Sequence, residues 1–516
     1  MLRNVGSNWV LIVVNVLLSY ITTPIVLHTL GGDGYGTWTL VNAITGYLSL
    51  ISLGVPMALV RFLGQHLSLK DWTKSNQTIG TCAGLYLVLA GAAFLIGGAL
   101  WGMFLFYDIP SNYRSDAYAA CALMVVYMSL SFVALLPEGI LFAHHDFVPR
   151  NLVRVSTLLL RFALTIWVLP LRPSLTFLAV IQLVALAFDF TASWALVRLR
   201  YSYIRINLRL FDWRMMRQIL SFSVFVLLMA GGGRLSFETD AIVIGALLGV
   251  GLIPYYAIAN SLVVYLVEFV IGIAAVVAPM ATSLSTQNRA EELREVFLRW
   301  SKASLSLSIA AGLFLLVLGP RFVGWWISPE YQEASGAVLQ MLVASCFVFL
   351  PARGVALPIL MGLGKPRVPT VVFLAAGVVN LLMSAVLARP LGLTGVAIGT
   401  AVPNVLFGVV VIGIACRELK VGLLEYVQYV VPRAALGAVP VLALLFWFKE
   451  WFGVVGPVGF IAAGVAMAIV FGLIWILFVY RDDPYVDVRT PLGRLREWSA
   501  SATRRQATPA ADLRAR

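Results

Sequence analysis

RLRYSYIRINLRLFDWRMMRQ, residues 198–218, is the segment that decides how this chain is organised. It contains six arginines and a single acidic residue, Asp212. Long apolar runs precede it and follow it. A basic segment of this density between hydrophobic segments is retained on the cytoplasmic side of a membrane. We therefore interpret it as a cytoplasmic connector between two membrane-embedded halves.

The composition outside this segment is typical of a helical membrane protein. The 516 residues are 60% hydrophobic and 12% charged, whereas soluble proteins have about 25% charged residues. Apolar runs of about 20 residues, long enough to cross the hydrocarbon core, recur along the whole length. All four cysteines fall within these runs, so we expect them to pack as small hydrophobic residues. They are Cys82, Cys121, Cys346 and Cys416.

The apolar runs predict an all-α polytopic membrane protein of about 14 transmembrane helices. Six spans precede the connector, six follow it, and two more complete the set. Six is an even number, so both halves would enter the membrane from the same side, as a parallel pseudo-repeat. The predicted regions are a six-helix lobe at 1–199, the basic connector at 200–216, a second six-helix lobe at 217–416, an extra helix pair at 417–480, and a disordered cytoplasmic tail at 481–516.

The repeat is suggested by two similar turns. LGGDGYGTWTLVNAI, residues 30–44, leads into the second predicted span, and LGVGLIPYYAIANSL, residues 248–262, leads into the eighth. Each places glycines before a tyrosine that opens a long helix, Tyr35 in the first turn and Tyr255 in the second. Chance similarity between glycine-rich helix starts remains an alternative.

The net charge of +13 is explained by topology. With the N-terminus inside, 29 of the 37 Lys and Arg residues, Lys302 among them, fall in cytoplasmic segments and five fall outside. This asymmetry predicts that both termini are cytoplasmic. The charge is then an orientation signal and an attraction to anionic lipids, and nucleic-acid binding is not expected.

The two turns carry a resemblance to a known family. Residues 30–62, LGGDGYGTWTLVNAITGYLSLISLGVPMALVRF, and residues 240–262, DAIVIGALLGVGLIPYYAIANSL, resemble the helix signatures of bacterial polysaccharide (O-antigen-type) flippases. These flippases belong to the multidrug/oligosaccharidyl-lipid/polysaccharide exporter superfamily. The resemblance implies two lobes around a central cavity in the inner membrane.

The resemblance also implies a function. A flippase of this kind moves a polyprenyl-diphosphate-linked oligosaccharide from the inner to the outer leaflet by alternating access, for surface polysaccharide synthesis. Its partners would be the lipid-linked substrate, membrane lipids and other polysaccharide biosynthesis proteins. No enzyme activity, cofactor or metal site is expected. Two alternatives stay open: a cation-coupled drug or small-molecule antiporter of the same superfamily, and a membrane polysaccharide polymerase or ligase, for which no long outside loop is predicted.

Charged residues inside the spans are the candidate site residues, because each costs roughly 2.5–3.5 kcal/mol to insert without a partner or water. Arg234 and Glu238 are four residues apart and share a helix face. Glu268 on the next span lies at a similar depth, about 21 Å from the outer end, so Arg234 could pair with either acid. Three glycines before Arg234 suggest a kink or a close contact. Arg234 would either bind the substrate diphosphate or form a static ion pair.

The other intramembrane charges are weaker candidates. Asp240 matches an aspartate of the flippase signature, although the basic residue that often follows it is replaced by Ala241. Glu138 and Arg353, near the cytoplasmic ends of their spans, could line the inward opening or extend to the interface. Arg61 could face a diphosphate at the cytoplasmic side or serve as a topology anchor. Structural ion-pair candidates complete the set, and they are Arg161 and Asp189.

Overall fold

A polypeptide inside a bilayer must satisfy its own backbone hydrogen bonds, so apolar spans fold as helices. The computed structural model describes residues 2–52, 54–454 and 456–486, and helices without any β-strand make up the ordered elements of that part of the chain. The α-helices are α1 Leu2–Gly46, α2 Val55–Ser68, α3 Trp72–Gly102, α4 Ser111–Ala143, α5 Phe147–Val168, α6 Leu175–Arg200, α7 Trp213–Phe237, α8 Thr239–Leu247, α9 Ile253–Ile271, α10 Ala274–Thr286, α11 Ala290–Val317, α12 Gly319–Trp326, α13 Tyr331–Pro351, α14 Leu357–Gly362, α15 Arg367–Glu418, α16 Leu423–Val430, α17 Pro432–Glu450 and α18 Gly456–Ile474.

The predicted class, an all-α polytopic membrane protein, is confirmed. Over the described residues, 11 helical runs are long and apolar enough to cross a membrane. This number is lower than the predicted 14 partly because some neighbouring predicted spans are joined, across a sharp bend, into one helical run. The two longest, α1 and α15, each contain one left-handed glycine, Gly31 with φ 68° and Gly392 with φ 60°. Gly31 lies between the predicted spans 7–30 and 34–62, and Gly392 lies between 368–389 and 393–416. Helix α15 therefore contains two predicted spans, and α1 contains the first span and the beginning of the second.

The two similar glycine-rich turns pack against each other. Gly249, like Gly31, has a positive φ, 106°, and both follow a leucine in the sequence. A Cβ on Gly36 would lie 2.1 Å from the Val250 carbonyl oxygen, and a Cβ on Gly251 would lie 2.6 Å from Asp33 Oδ1. Glycine is therefore required at Gly36, where the backbone of the other turn approaches, while the Asp33 side chain occupies the space beside Gly251. The shared left-handed glycine agrees with the predicted repeat at this point.

The chain divides into two compact units. The first unit contains the residues through Tyr265 together with Val323–Ser345 and Lys365–Phe407. The second unit contains Leu266–Phe322, Cys346–Gly364 and the residues after Phe407.

Helices α2, α3 and α4 of the first unit enclose an apolar core that includes Leu59, Ile79 and Ile140. The connector completes this core with Ile204, which is 4% exposed. All four cysteines of the chain are buried and unpaired in disulfides, as predicted.

The connector between α6 and α7 is docked by an ion pair of Arg200 with Asp146, at 3.0 Å, and by neutral side chains. Asn76 on α3 donates to the Tyr203 carbonyl at 3.1 Å and accepts from the Arg205 amide at 2.8 Å. The Tyr203 hydroxyl bonds to His144 Nε2, and burial lowers the pKa of that imidazole. Asp212 caps α7 by accepting from the Arg214 amide at 2.7 Å. All six arginines of the segment are exposed.

The second unit is organised around α11, which packs against α16, α17 and α18. Arg294 on α11 pairs with Glu425 on α16 at 2.6 Å. The residues that follow α18 fold back to α11 as far as Val486. Most of the predicted disordered tail, residues 487–516, lies outside the described residues.

Candidate functional site

Arg234 lies one turn before the end of α7 and forms the predicted ion pair with Glu238. Its Nη2 also donates a hydrogen bond to Ser49 Oγ at 3.0 Å. The pair is only partly covered, because the Arg234 side chain is 26% exposed and the Glu238 side chain is 39% exposed. A guanidinium that is held by one acid and one hydroxyl, and is still accessible, can exchange its partner for an incoming anion.

The local backbone explains how this pair is placed. Helix α1 ends at Gly46, and the 3₁₀ turn that follows, Tyr47–Ser52, brings Ser49 to α7. A Cβ on Gly46 would lie 3.0 Å from Arg234 Nη1 and 3.3 Å from Glu238 Oε2, so glycine allows the pair to rest on the end of α1. The Tyr47 hydroxyl bonds to the Thr239 hydroxyl beside it. The result is a polar cluster at the junction of three elements, α1, α7 and α8.

The glycine triplet before Arg234 permits a close contact, one of the two predicted roles. A Cβ on Gly232 would lie 2.7 Å from the Phe373 ring and 3.2 Å from its backbone, whereas Gly231 and Gly233 have more room. Helix α7 runs straight through the triplet to Phe237. The break comes at Glu238, with φ −123° and ψ −13°, and it separates α7 from α8. The expected kink therefore lies next to the ion pair, and the triplet serves close packing between α7 and α15.

Asp240 is not part of the Arg234 cluster. It is 2% exposed and has hydroxyl partners only: Tyr256 donates to Oδ2 at 2.6 Å, Thr400 donates to the same oxygen at 3.0 Å, and Ser384 lies 3.5 Å from Oδ1. A buried carboxylate without a cation is unfavourable unless it is protonated or gains a positive partner. Since it is buried, Asp240 cannot contact a large substrate, contrary to the expectation from sequence.

Oxygen atoms around Asp240 could hold a proton or a small cation. Asn380 donates to Thr400 at 3.0 Å, and its own Oδ1 is buried without a hydrogen-bond partner. A carboxylate, two hydroxyl oxygens and this unsatisfied carbonyl suit a hard monovalent cation, and a single buried acid also suits proton relay. Among the described residues, no group of three or more His, Cys, Asp or Glu side chains could hold a metal ion.

The remaining cargo candidates lie elsewhere. Arg61 is exposed on α2 of the first unit, with its guanidinium carbon 5.8 Å from the Phe62 ring centroid. Glu268 is exposed on α9 and belongs to the second unit. Arg353, also in the second unit, is half-buried in a π-helical turn, Ala352–Ala356, directly after Pro351. Such turns are common at functional sites.

The predicted pair of Arg161 and Asp189 is not formed. Asp189 accepts a hydrogen bond from Thr157 at 3.2 Å, and in the part of the chain that the structure describes no ion pair links it to Arg161. The cause is the register of α6 against α5, which sets Asp189 level with Thr157, one turn before Arg161. Arg161 lines a cavity within the first unit instead.

Glu138 on α4 is held by two arginines of α5. Its carboxylate accepts two hydrogen bonds from Arg154, at 2.9 and 3.2 Å, and lies 3.6 Å from Arg150. Its side chain is 11% exposed. No pattern in the sequence predicted this cluster, because all three residues lie near the ends of predicted spans, where interfacial charges are ordinary.

A buried cluster in the second unit was also missed. Lys302, counted above as a cytoplasmic charge, is 1% exposed on α11. It pairs with Asp483 and lies 4.7 Å from the Tyr429 ring centroid. Tyr429 donates to the other oxygen of Asp483 at 2.8 Å. This cluster fastens the end of the last helix to α11; lysine and aspartate are 181 residues apart, so only the fold brings them together.

Comparison with known proteins assigns this chain to a family. A family described as "Polysaccharide biosynthesis protein" matches residues 1–285, which is more than half of the chain. A curated relative, the uncharacterized membrane protein EpsK of Bacillus subtilis (strain 168), is 23% identical over 427 residues, covering 78% of this chain and 80% of EpsK.

Solved structures identify the fold. An inward-facing multidrug resistance MATE family transporter of the MOP superfamily matches with a TM-score of 0.69 at 16% identity, covering 78% of this chain and 94% of the transporter. The lipid II flippase MurJ, in an inward closed conformation, matches with a TM-score of 0.68 at 11% identity, covering 93% of this chain and 99% of MurJ. At these identities the likeness establishes the shared fold.

Proposed function

Because the chain belongs to the polysaccharide biosynthesis protein family, we propose that it is a flippase for a polyprenyl-diphosphate-linked oligosaccharide. It moves this lipid from the inner to the outer leaflet by alternating access, for surface polysaccharide synthesis. The observation that carries the proposal is the partly exposed pair of Arg234 and Glu238. The fold, shared with a flippase and a transporter, supports it.

Arg234 binds the diphosphate in this proposal. Moving a diphosphate through hydrocarbon without a counter-charge is prohibitive, so a translocation path needs a positive group at membrane depth. Arginine suits this role, since its planar guanidinium donates two parallel hydrogen bonds to phosphate oxygens. The exposed part of Arg234 gives the phosphate access, and Ser49 holds the guanidinium at 3.0 Å.

Glu238 makes the binding reversible. When no substrate is present it neutralises Arg234, and when the diphosphate arrives the carboxylate gives up its place. Binding then exchanges one anion for another, so the net affinity is smaller than an isolated arginine would give. A flippase needs this moderate affinity because it must release what it binds.

The proposed setting is the bacterial inner membrane, with both termini and the connector in the cytoplasm. The six exposed arginines of residues 198–218 support this orientation. A reporter that is active only outside the cell, fused after Arg217, should give no signal. A strong signal from that fusion would reverse the orientation.

The Asp240 cluster favours coupling to a cation. Its buried carboxylate and the unsatisfied Asn380 oxygen form a site of fitting chemistry for a proton or a sodium ion. Cation coupling could drive a flippase, and it is also the basis of the second candidate function, antiport of a drug or small molecule. The two functions differ in whether a lipid-linked sugar changes leaflet.

The test is translocation in proteoliposomes. A polyprenyl-diphosphate oligosaccharide with a fluorescent sugar is incorporated, and a membrane-impermeant quencher reports the fraction in the outer leaflet. The wild-type protein should accelerate its movement over protein-free vesicles. Arg234→Ala should slow it about ten-fold or more, because one charge-assisted phosphate contact is lost, and Arg234→Lys should give an intermediate rate.

Arg205→Ala is the matched control, since Arg205 is an exposed connector arginine. It should flip the lipid at the wild-type rate. The flippase proposal would be wrong if vesicles with the wild-type protein flipped the lipid no faster than empty vesicles. If the same protein also carried out cation-driven efflux of a small organic cation, its function would be that of an antiporter. A wild-type rate for Arg234→Ala would remove Arg234 from the mechanism.

A further inference from the structure

A polar cavity lies wholly within the first unit, and neither Arg234 nor Asp240 is among the residues that line it. It has a volume of about 310 Å³ and is lined by α1, α5 and α6. Small-molecule sites begin at about this size, so the space suits one sugar unit and is too small for an oligosaccharide.

Arg161 is the only charged residue among those that line this cavity. Its guanidinium makes no ion pair and no side-chain hydrogen bond to any described residue. The nearest expected partner, Asp189, is bonded to Thr157 at 3.2 Å. An unpaired arginine at membrane depth is costly, and it is retained where it meets water or an anionic ligand.

The neighbours of Arg161 provide hydrogen-bonding groups on several sides. Thr22, Thr39 and Thr165 each donate to a backbone carbonyl one turn earlier, at 2.7, 2.9 and 2.8 Å. Their oxygen lone pairs are therefore left as acceptors. The Gln182 amide, also in the lining, forms no hydrogen bond with another described residue and can both donate and accept.

One wall of the cavity is aromatic. Trp38 lines it next to Asn42, whose Nδ2 donates to the Trp38 carbonyl at 2.8 Å. A tryptophan face covers the apolar C–H surface of a sugar ring, and amides and hydroxyls bond its alcohol groups. The lining therefore combines an arginine for an oxyanion with the groups that hold a ring of hydroxyls.

We propose that this cavity binds an anionic sugar unit, with Arg161 on its carboxylate or phosphate-type oxyanion and Trp38 against the ring. The inference rests on the proposed function only in so far as the sugar is part of the transported lipid. A chain with this cavity selects substrates whose oligosaccharide carries an acidic residue. The oxyanion could also come from the diphosphate of the lipid, and the test separates the two sources.

The test measures equilibrium binding of three probes to the purified full-length protein in detergent, with saturation-transfer NMR as the detection method. The probes are D-glucuronate, D-glucose and inorganic pyrophosphate. Glucuronate should bind more tightly than glucose. Arg161→Gln should weaken glucuronate binding about ten-fold or more, to the level of glucose, since a charge-assisted hydrogen bond is lost. Arg161→Lys should retain part of the preference, and Trp38→Leu should weaken both sugars.

Arg205→Ala is the control, since it removes an exposed arginine of the connector, and it should bind glucuronate like the wild type. Flipping without glucuronate binding would overturn this inference and leave the flippase intact. Glucuronate binding through Arg161 without flipping would support the sugar site and contradict the proposed flippase function. Equal affinities for glucose and glucuronate would contradict the sugar site and show a water-filled cavity. If Arg161→Gln lost only pyrophosphate binding, the oxyanion would belong to the lipid diphosphate, which would also contradict the sugar site.

Discussion

Two arginine–glutamate clusters of the first unit use the same chemistry in different surroundings. Glu138 on α4 is held by two arginines of α5, Arg154 and Arg150, and its side chain is 11% exposed. Glu238 has one arginine, Arg234, from its own chain segment, and its side chain is 39% exposed. The first cluster joins two helices and covers its acid, although one of its arginines, Arg154, is 42% exposed. The second cluster leaves its acid accessible and lies where one helix breaks.

The difference in exposure between the two glutamates indicates different roles for two intramembrane charges. Removing one member of a buried pair costs about 3–5 kcal/mol, because the partner is left buried and unpaired. An exposed ion pair is worth about 0–1 kcal/mol, and the pair of Arg234 and Glu238, whose acid is more than a third exposed, lies nearer to this limit. An ion pair that contributes little to stability can exchange partners easily, so Glu238 can take part in transport. Glu138, whose loss costs more, stabilises the fold.

The largest expected effect comes from Glu138→Gln. The change leaves Arg154 and Arg150 without their acid, and Arg150 is only 15% exposed. The free energy of unfolding should fall by about 2–3 kcal/mol, less than for a fully buried pair because Arg154 is 42% exposed. Membrane abundance and the thermal unfolding midpoint of the purified protein measure this. A midpoint like the wild type would mean that the cluster is not structural.

Glu238→Gln should behave in the opposite way. Stability should change by no more than about 1 kcal/mol, because the pair is exposed, while Arg234 loses its competing anion. Pyrophosphate should therefore bind more tightly, and flipping should become slower because release is slower. A loss of stability as large as that of Glu138→Gln would erase the contrast between the two clusters.

Gly46→Ala tests the geometry of the open pair with a smaller disturbance. The new Cβ would lie 3.0 Å from Arg234 Nη1 and 3.3 Å from Glu238 Oε2, so the flexible ends must shift by a few tenths of an ångström. We expect wild-type abundance with slower flipping. Gly91→Ala is the control, since no heavy atom lies within 4 Å of a Cβ there; equal effects of both changes would contradict a specific contact at Gly46.

Arg205→Lys should have the smallest effect and sets the baseline for an exposed charge. The Arg205 amide is held by Asn76 at 2.8 Å, and its side chain is exposed. Lysine keeps the charge, so stability should change by less than about 0.5 kcal/mol. Severe loss of function with normal membrane insertion would reveal a specific contact of this arginine.

Local patterns in the sequence predicted what local geometry decides. The four-residue spacing of Arg234 and Glu238 sets a common helix face, and the left-handed glycines Gly31 and Gly392 fall where predicted spans meet. Span lengths and composition were sufficient for the all-α membrane class, because bilayer thickness and backbone hydrogen bonding leave few alternatives.

Contacts between helices could not be predicted in this way. Arg161 and Asp189 were matched by depth, but the register of α5 and α6 differs by a turn and gives Asp189 to Thr157. Lys302 and Asp483 meet only through the fold. The hydroxyl partners of Asp240 come from α9 and α15, and hydroxyl groups carry no charge pattern that a sequence can reveal.

The central claim is that Arg234 binds the diphosphate and is not a static partner of Glu238. The most direct measurement compares abundance and flipping for Arg234→Ala and for the double variant Arg234→Ala with Glu238→Gln. Our account predicts normal abundance for both, and flipping that stays lost in the double variant, because no cation remains for the phosphate. Restored flipping in the double variant, after low abundance in the single one, would contradict the account and make the pair structural.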